Sequence, residues 1–189
     1  MKPKKYIRGN GMGRIPNIAF RMMSASIRAH EFLTGRSRRI EKFGLMPGYT
    51  VIDYGCGPGR YVKRAVQLVG ETGRVYAFDI HPLFEKRIER IIGKNDLSNV
   101  VPLLARGGVS PLPNDVADLI YALDMFHMVA EPKPFLQEIH RLLKPDGILI
   151  IDDGHQPREK TLRKLGDSGL WNVVEENEDY LRCKPRKKD

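Results

Sequence analysis

Residues 51–60 read Val-Ile-Asp-Tyr-Gly-Cys-Gly-Pro-Gly-Arg and carry the strongest structural signal in the chain. An apolar run leads directly into a turn with glycine at every second position. Glycine adopts backbone dihedrals closed to other residues, and a ligand can lie against its bare backbone. A helix after such a turn points its first free N–H groups at a polar or anionic ligand group. The stretch therefore predicts a strand, a ligand-binding loop and a helix, in that order.

A carboxylate follows at the end of the next predicted strand. Asp79 lies 20 residues after Gly59, where dinucleotide-binding folds place the acid that accepts the ribose hydroxyls. The dinucleotide loop reads G-x-G-x-x-G, but its third glycine would fall on Arg60. Loop and acid together predict a ligand that contains adenosine. A nicotinamide oxidoreductase stays as a disfavoured alternative.

From residue 50 onward, short apolar runs alternate with longer amphipathic ones, which is typical of βαβ units around a parallel sheet. The pattern predicts strands at 50–54, 74–79, 100–105, 118–123 and 148–152, and helices near 59–69, 82–93, 132–143 and 157–168. Residues 144–147, Lys-Pro-Asp-Gly, predict a helix end followed by a turn. Two last runs, at 170–176 and 179–184, predict a β-hairpin.

The net charge of +9 comes entirely from the first 46 residues. Eleven Lys or Arg side chains lie there against two acids, Glu31 and Glu41, whereas residues 47–189 hold 21 basic and 21 acidic side chains. Such a segment favours an anionic partner, namely nucleic acid, a membrane surface or an acidic substrate; the alternative is a solvated basic arm. We divide the chain into a basic N-terminal helical extension at 1–46 and a main domain at 47–189.

Pro16 suits the first turn of a helix within the basic extension. Apolar side chains then share one face at helical spacing: Ile18, Met22, Ala25, Ala29 and Leu33. Arginines recur every seven residues and form a second stripe: Arg14, Arg21 and Arg28. This pattern predicts a docked helix with a solvated basic face, a lid over the active site, or a membrane-surface helix.

Composition indicates a soluble globular protein of one domain, since 41% of the 189 residues are hydrophobic and 29% are charged. No apolar run approaches the roughly 18–20 residues that span a bilayer, and the basic N-terminus has no secretory apolar core behind it. Cys56 and Cys183 match neither a disulfide framework nor a zinc site. We expect a cytoplasmic protein in a reducing compartment; the oligomeric state is not indicated.

Four segments resemble the class I S-adenosylmethionine-dependent methyltransferases, in the style of the ubiquinone/menaquinone biosynthesis group. The resemblance covers about residues 45–184. The matching segments are 51–60, 75–80, 118–127 (DLIYALDMFH) and 140–152 (HRLLKPDGILIID). The resemblance implies an α/β fold: a Rossmann-like, seven-stranded, mostly parallel sheet with helices on both faces and a C-terminal β-hairpin.

The resemblance also implies S-adenosylmethionine as cofactor and S-adenosylhomocysteine as product. In this reading Asp53 and the backbone of Gly55, Cys56 and Gly57 face the methionine part, and Gly59 completes the loop. The alternative for Asp53 is a carboxylate that merely caps the loop.

Further along the chain, the resemblance implies that Asp79 binds the ribose hydroxyls and that Ile80 packs on the adenine ring. It also implies that Leu123 lies beside the cofactor. Asp79 could instead be a turn residue at the strand end. Relatives carry Gly-Asp, with the acid on the adenine amino group, where this chain has Gly107-Gly108. That contact is therefore expected to be missing or to come from backbone.

Candidate catalytic residues follow the fourth and fifth predicted strands, because open α/β sheets bind ligands beyond the carboxyl ends of their strands. They are Asp124, His127 and His155. Either histidine could act as general base, since histidine titrates near neutral pH, or could position the substrate. An alternative makes Asp124, Asp152 and Asp153 ligands of Mg²⁺; we predict no metal.

The predicted function is methyl transfer, in which the protein mainly orients an acceptor in line with the methyl group. No [DNS]-P-P-[YF] sequence follows the fourth strand and no Pro-Cys nucleophile occurs, which disfavours methylation of DNA bases. A small-molecule acceptor is expected. The alternatives are an RNA or protein methyltransferase, or a protein that binds S-adenosylmethionine without transferring its methyl group.

Overall fold

The computed structural model describes residues 15–105 and 110–186. Its strands are β1 (Thr50–Tyr54), β2 (Arg74–Asp79), β3 (Val100–Leu104), β4 (Ala117–Ala122), β5 (Leu143–Ile151), β6 (Trp171–Glu176) and β7 (Leu181–Pro185). They form one sheet in the order β3-β2-β1-β4-β5-β7-β6. Strands β1 to β5 pair in parallel, whereas β7 runs antiparallel to both β5 and β6. The predicted sheet and its C-terminal hairpin are confirmed.

Helices cover both faces of the sheet, as predicted. They are α1 (Asn17–Thr34), α2 (Val62–Val69), α3 (Leu83–Asn95), α4 (Pro132–Leu142) and α5 (Arg158–Ser168), with 3-10 helices at Arg36–Phe43 and Phe126–Met128. One apolar core lies between the sheet and α1, α2 and α3. The other lies between the sheet and α4 and α5. Alternate residues of each buried strand therefore point into two different cores.

Two local predictions near turns were wrong. α2 begins at Val62 rather than near 59, because the glycine loop continues as a turn up to Tyr61. Residues 144–147 do not separate a helix from a strand; they lie inside β5. Ala117 pairs with Leu143, and the next pair joins Leu119 to Ile148. The Lys-Pro-Asp-Gly sequence is thus a bulge in a strand that begins directly after α4.

The N-terminal helix docks through a different face from the one predicted. Phe20 and Ser24 are buried, whereas Ile18, Met22 and Leu33 are 72%, 70% and 80% exposed. The reason is a contact outside α1, since the Phe20 ring stacks on His81 with centroids 4.0 Å apart. Arg14 lies outside the described residues.

The segment after α1 packs into the core that lies between the sheet and α1, α2 and α3. Ile40 and Phe43 of the 3-10 helix and Leu45 are buried there. Arg182 of β7 ties this segment down by donating to the carbonyl of Phe43 over 3.1 Å. The division of the chain at residue 46 stays a prediction.

The order in which the chain adds strands to the sheet reverses between β1 and β4. From β1 the chain extends the sheet through β2 and β3 to one edge, and then returns to place β4 on the other side of β1. Open α/β sheets bind ligands in the crevice at such a switch point. Within the described residues, no helix is long and apolar enough to cross a membrane.

Candidate functional site

A cavity opens at this switch point, beyond the carboxyl ends of β1 and β4. It encloses about 920 Å³ of space, counting the part that is open to solvent. Four segments line it: α1 with Ile15 two residues before it, the glycine loop after β1, the turn after β2 and the loop after β4. The wall formed by α1 is apolar and includes Phe20, Met23 and Ile27.

The glycine loop is fixed on the end of β2 by backbone hydrogen bonds. The amides of Gly55 and Cys56 both donate to the carbonyl of Phe78, over 2.8 and 3.0 Å. Gly55 has φ +83° and Gly57 has φ +53°, a region that favours glycine. These bonds turn the backbone of residues 55–57 along the cavity wall.

Asp79 joins the glycine loop to the turn after β2. Its Oδ2 atom accepts the amide of Gly57 over 2.8 Å, and its Oδ1 atom accepts the amide of His81 over 2.8 Å. Burial raises the pKa of this carboxyl above its ordinary value, and hydrogen bonds from the amides of His81, Gly57 and Ile80 lower it. The carboxylate therefore holds the glycine loop in place and also forms part of the cavity wall.

Asp53 brings a second buried carboxyl to the same wall. It is 2% exposed, and its Oδ2 atom has no hydrogen-bond partner among the described residues. Burial raises the pKa of Asp53 to about 8; the hydroxyl of Tyr121 lowers it and the charge of Asp79 raises it. Tyr121 is near because it pairs with Asp53 in the register of β1 and β4. A buried carboxyl in this state favours a cationic ligand group.

Asp124 follows β4 in a left-handed backbone conformation, with φ +57°. Its amide donates to Oδ1 of Asp152 over 2.8 Å, and Oδ2 of Asp152 lies 3.2 Å from the guanidinium of Arg39. Burial, followed by the charge of Asp124, raises the pKa of Asp152 to about 6, while Arg39 lowers it. Aspartate tolerates this conformation better than most non-glycine residues, and Asp96 and Asp115 adopt it as well.

The side chain of Asp124 lies at the mouth of the cavity among cations. Its carboxylate oxygens are 3.4 Å from Arg60, 3.7 Å from Arg36 and 3.9 Å from Arg39. The hydroxyl of Tyr61 donates to Oδ2 of Asp124 over 3.3 Å. Three guanidinium groups surround this carboxylate, so the mouth of the cavity has a cationic rim.

Most of the predicted cofactor residues lie together on the cavity wall. They are Asp53, Gly55, Cys56, Gly57, Asp79, Ile80 and Leu123, and the predicted catalytic Asp124 joins them. Gly59 packs away from the cavity, where a Cβ atom would lie 2.6 Å from Ile88 of α3. Gly107 lies outside the described residues.

The two histidines predicted as catalytic contact each other rather than the cavity. The rings of His127 and His155 are perpendicular, with centroids 4.9 Å apart, and neither belongs to the cavity wall as far as the structure describes it. Burial, and then the charge of His155, lowers the pKa of His127. Their catalytic role stays a prediction.

The carboxylates of the magnesium alternative each have a cationic partner. Asp152 pairs with Arg39, and Asp153 pairs with Arg158 over 2.7 Å. Among the residues that the structure describes, no group of three or more His, Cys, Asp or Glu is arranged to hold a metal ion. In this structure these carboxylates serve as ion-pair partners.

Several residues of the cavity wall were not predicted from the sequence. They are Ile15, Phe20, Met23, Ile27, Pro58, Arg60, Tyr61, His81, Met125 and Met128. Phe20, Met23 and Ile27 recur at helical spacing, so they were available as a second apolar stripe on α1. Arg39 gives no local signal, because its partner Asp152 lies far away in sequence.

A sequence model described as a methyltransferase domain matches residues 45–183. The chain belongs to this family of methyltransferase domains. Among solved structures, a SAM-dependent methyltransferase from Aquifex aeolicus is 27% identical and superposes with a TM-score of 0.75, covering 90% of this chain and 97% of that one. The seven-stranded sheet is thus the methyltransferase sheet.

Curated relatives of this methyltransferase domain include ubiquinone/menaquinone biosynthesis C-methyltransferases UbiE. Those from Teredinibacter turnerae and Shewanella pealeana are each 29% identical over 136 residues, or 71% of this chain. The aligned part makes up 55% and 54% of those proteins. The chain therefore spans about half the length of the curated relatives it matches.

The cavity of the methyltransferase domain has acceptors that fit two polar groups of S-adenosylmethionine. The unpartnered Oδ2 atom of Asp53 suits an ammonium group, and the Asp79 carboxylate suits vicinal hydroxyls. A Cβ atom at Gly57 would have no neighbour within 4 Å, so the backbone there is open to a ligand. The residues present fit this cofactor.

Proposed function

We propose that the protein is an S-adenosylmethionine-dependent methyltransferase that acts on a small, largely apolar acceptor. The observation that carries the proposal is the placement of two buried carboxyls, Asp53 and Asp79, beside an open glycine loop on one cavity wall. A zwitterionic amino acid joined to a nucleoside satisfies both carboxyls at once. When bound, this cofactor supplies an electrophilic methyl group.

Different residues of the cavity wall bind different parts of the cofactor. Asp53 binds the ammonium group, and Arg60, the guanidinium on the cavity wall, meets the carboxylate of the methionine part. Asp79 accepts the ribose hydroxyls, while Ile80 supplies an apolar surface for the adenine ring. The fold already holds each of these side chains in place, so binding loses little further side-chain conformational entropy.

The acceptor occupies the part of the cavity under α1, which acts as a lid. Met23, Ile27, Met125 and Met128 make this part apolar and adaptable. Asp124 at its mouth orients the acceptor or takes its proton. An RNA or protein acceptor held by the basic N-terminus is the competing proposal, and a cytoplasmic location stays a prediction.

Ligand-dependent stability and methyl incorporation together test this function. We expect S-adenosylmethionine and S-adenosylhomocysteine to raise the melting temperature, because a ligand that binds only the folded state stabilises it. NAD and NADP should have no effect. Labelled methyl groups should then appear in an extractable small molecule when the protein is mixed with cell extract. Stabilisation by NAD alone would overturn the proposal, and stabilisation without transfer to any fraction would favour a binding protein.

The affinity for S-adenosylhomocysteine should rise with pH. Burial raises the pKa of Asp53 to about 8, so this carboxyl is mostly protonated in the free protein at neutral pH. An ammonium group beside it favours the ionised form, and binding therefore releases a proton. Below that pKa the affinity is expected to increase by up to about tenfold per pH unit, and above it to decrease as the ammonium group of the ligand loses its proton.

Calorimetric titrations at several pH values measure this profile. Asp53→Asn is the matched control, because it keeps the shape of the side chain and removes the titrating group. Its profile should lose the slope that the unmodified protein shows. A flat profile in the unmodified protein would remove Asp53 from the ammonium site.

Asp124→Asn should lower kcat by about 10²-fold or more, the usual worth of a group that moves or directs a proton, while cofactor affinity changes little. Asparagine is a suitable replacement because it tolerates the left-handed backbone conformation at this position. The measurement is the rate of methyl incorporation at saturating cofactor. Asp153→Asn removes a carboxylate that pairs with Arg158 outside the cavity wall and serves as control. Equal rates in the two variants would contradict a role for Asp124.

A further inference from the structure

The lid helix α1 is apolar on two opposite faces. Its inner face closes the cavity with Phe20, Met23 and Ile27. Its outer face carries large apolar side chains in solvent: Ile18 (72% exposed), Met22 (70%), Phe32 (89%) and Leu33 (80%). The helix has 18 residues, so the outer face is about 27 Å long. Contiguous exposed apolar surface of this kind marks an interaction site.

Arginines border this outer face. Arg21 and Arg28 of α1 are exposed, and Arg87 of α3 lies within range of their charges and of the charge of Arg90 on its own helix. Burial lowers the pKa of Arg87, as do the positive charges of Arg28, Arg90 and Arg21. Among residues 15–105 and 110–186, none of the four arginines forms an ion pair. The outer face is therefore apolar with an uncompensated cationic border.

This combination of apolar surface and charge selects among three kinds of partner. A second copy of the chain, bound through the same face, would bring the two sets of arginines together, and their repulsion opposes such a dimer. Nucleic acid offers phosphates, and an unpaired base can stack on the ring of Phe32, but base stacking does not cover the aliphatic side chains of Ile18, Met22 and Leu33. An anionic lipid bilayer offers both, since its headgroups attract arginine and its acyl region accepts the apolar side chains.

We propose that the outer face of α1 docks on an anionic membrane surface, with Ile18, Met22, Phe32 and Leu33 inserted at the headgroup boundary and Arg21, Arg28, Arg87 and Arg90 against anionic headgroups. Because α1 is also a wall of the cavity, docking holds the cavity at the membrane surface. The docking does not depend on the proposed methyl transfer.

Co-sedimentation of the full chain with lipid vesicles tests the proposal. We expect binding to vesicles of phosphatidylcholine mixed equally with phosphatidylglycerol, and little binding to phosphatidylcholine alone. The double variant Phe32→Gln and Leu33→Gln should lose at least about tenfold in binding, because two large apolar contacts are removed. Arg21→Gln and Arg28→Gln should each lose about fivefold.

A double variant at exposed apolar positions away from α1, Met46→Gln and Val174→Gln, is the matched control and should bind like the unmodified protein. Equal binding to the two kinds of vesicle, or binding unchanged by Phe32→Gln and Leu33→Gln, overturns the proposal. So does a dimer seen by light scattering that the same variant dissociates, or RNA binding that the same variant abolishes. Melting curves with S-adenosylhomocysteine on the same samples report separately on the cofactor site.

Discussion

Asp79→Ala is expected to weaken the binding of S-adenosylhomocysteine by about 10²–10⁴-fold, the worth of two charge-assisted hydrogen bonds at about 1.5–3 kcal/mol each. The proposed bonds are those to the ribose hydroxyls. The carboxylate also accepts the amides of Gly57 and His81, each over 2.8 Å. Its removal therefore also loosens the loop against which the cofactor lies, and the loss should fall in the upper part of this range.

Isothermal titration calorimetry with S-adenosylhomocysteine measures the loss. Asp79→Asn keeps one carbonyl acceptor but loses the charge, so its affinity should lie between those of the unmodified protein and Asp79→Ala. Asp153→Ala removes a partly buried carboxylate that pairs with Arg158 outside the cavity wall and should leave the affinity unchanged. An unaltered affinity in a folded Asp79→Ala variant would exclude Asp79 from the cofactor site.

The centre of the sheet could be predicted from the sequence because its signals are local. β1 and β2 have the bounds that their apolar runs predict, and each ends at the residue before a turn. The hairpin of β6 and β7 was predicted for the same reason, since polar turn residues separate two short runs. Residues fixed by the strand ends, such as Asp53 and Asp79, reach the cavity wall as expected.

The parts that sequence reasoning missed depend on partners distant along the chain. α1 has two apolar stripes at helical spacing, and no local rule says which one docks. The stripe that contains Phe20 docks because the Phe20 ring stacks on His81, which lies after β2. The ion pair between Arg39 and Asp152 likewise joins a 3-10 helix to the end of β5. Contacts of this kind exist only after the sheet has brought the two segments together.

The bulge in β5 and the histidine pair show a second cause. Residues 144–147 have the composition of a turn, yet β4 continues to pair on both sides of them, at Leu143 and Ile148. His127 and His155 do follow neighbouring strands, but the loops after those strands turn their rings toward each other. Composition predicts that a chain bends, and tertiary packing decides in which direction.

Gly59→Ala should lower the free energy of unfolding by about 2–5 kcal/mol. Gly59 has φ +82°, where an L-residue costs about 1–2 kcal/mol. A Cβ atom there would also lie 2.6 Å from Cδ1 of Ile88 and 2.7 Å from Cδ1 of Ile91, and such overpacking costs typically about 1–3 kcal/mol. The melting temperature should fall by several degrees, and urea denaturation gives the free energy.

Gly57→Ala is the matched variant, with the same added methyl group two residues earlier in the loop. Gly57 also has positive φ, at +53°, but its Cβ atom would have no neighbour within 4 Å. Its free energy of unfolding should therefore fall only by the cost of the backbone conformation, about 1–2 kcal/mol. The variant should weaken cofactor binding more than Gly59→Ala does, because Gly57 lies on the cavity wall.

The two glycines thus separate two functions of one loop, packing on α3 and contact with the ligand. Equal stability losses in the two variants would contradict the packing of the loop on α3, and equal affinities would contradict its place against the cofactor.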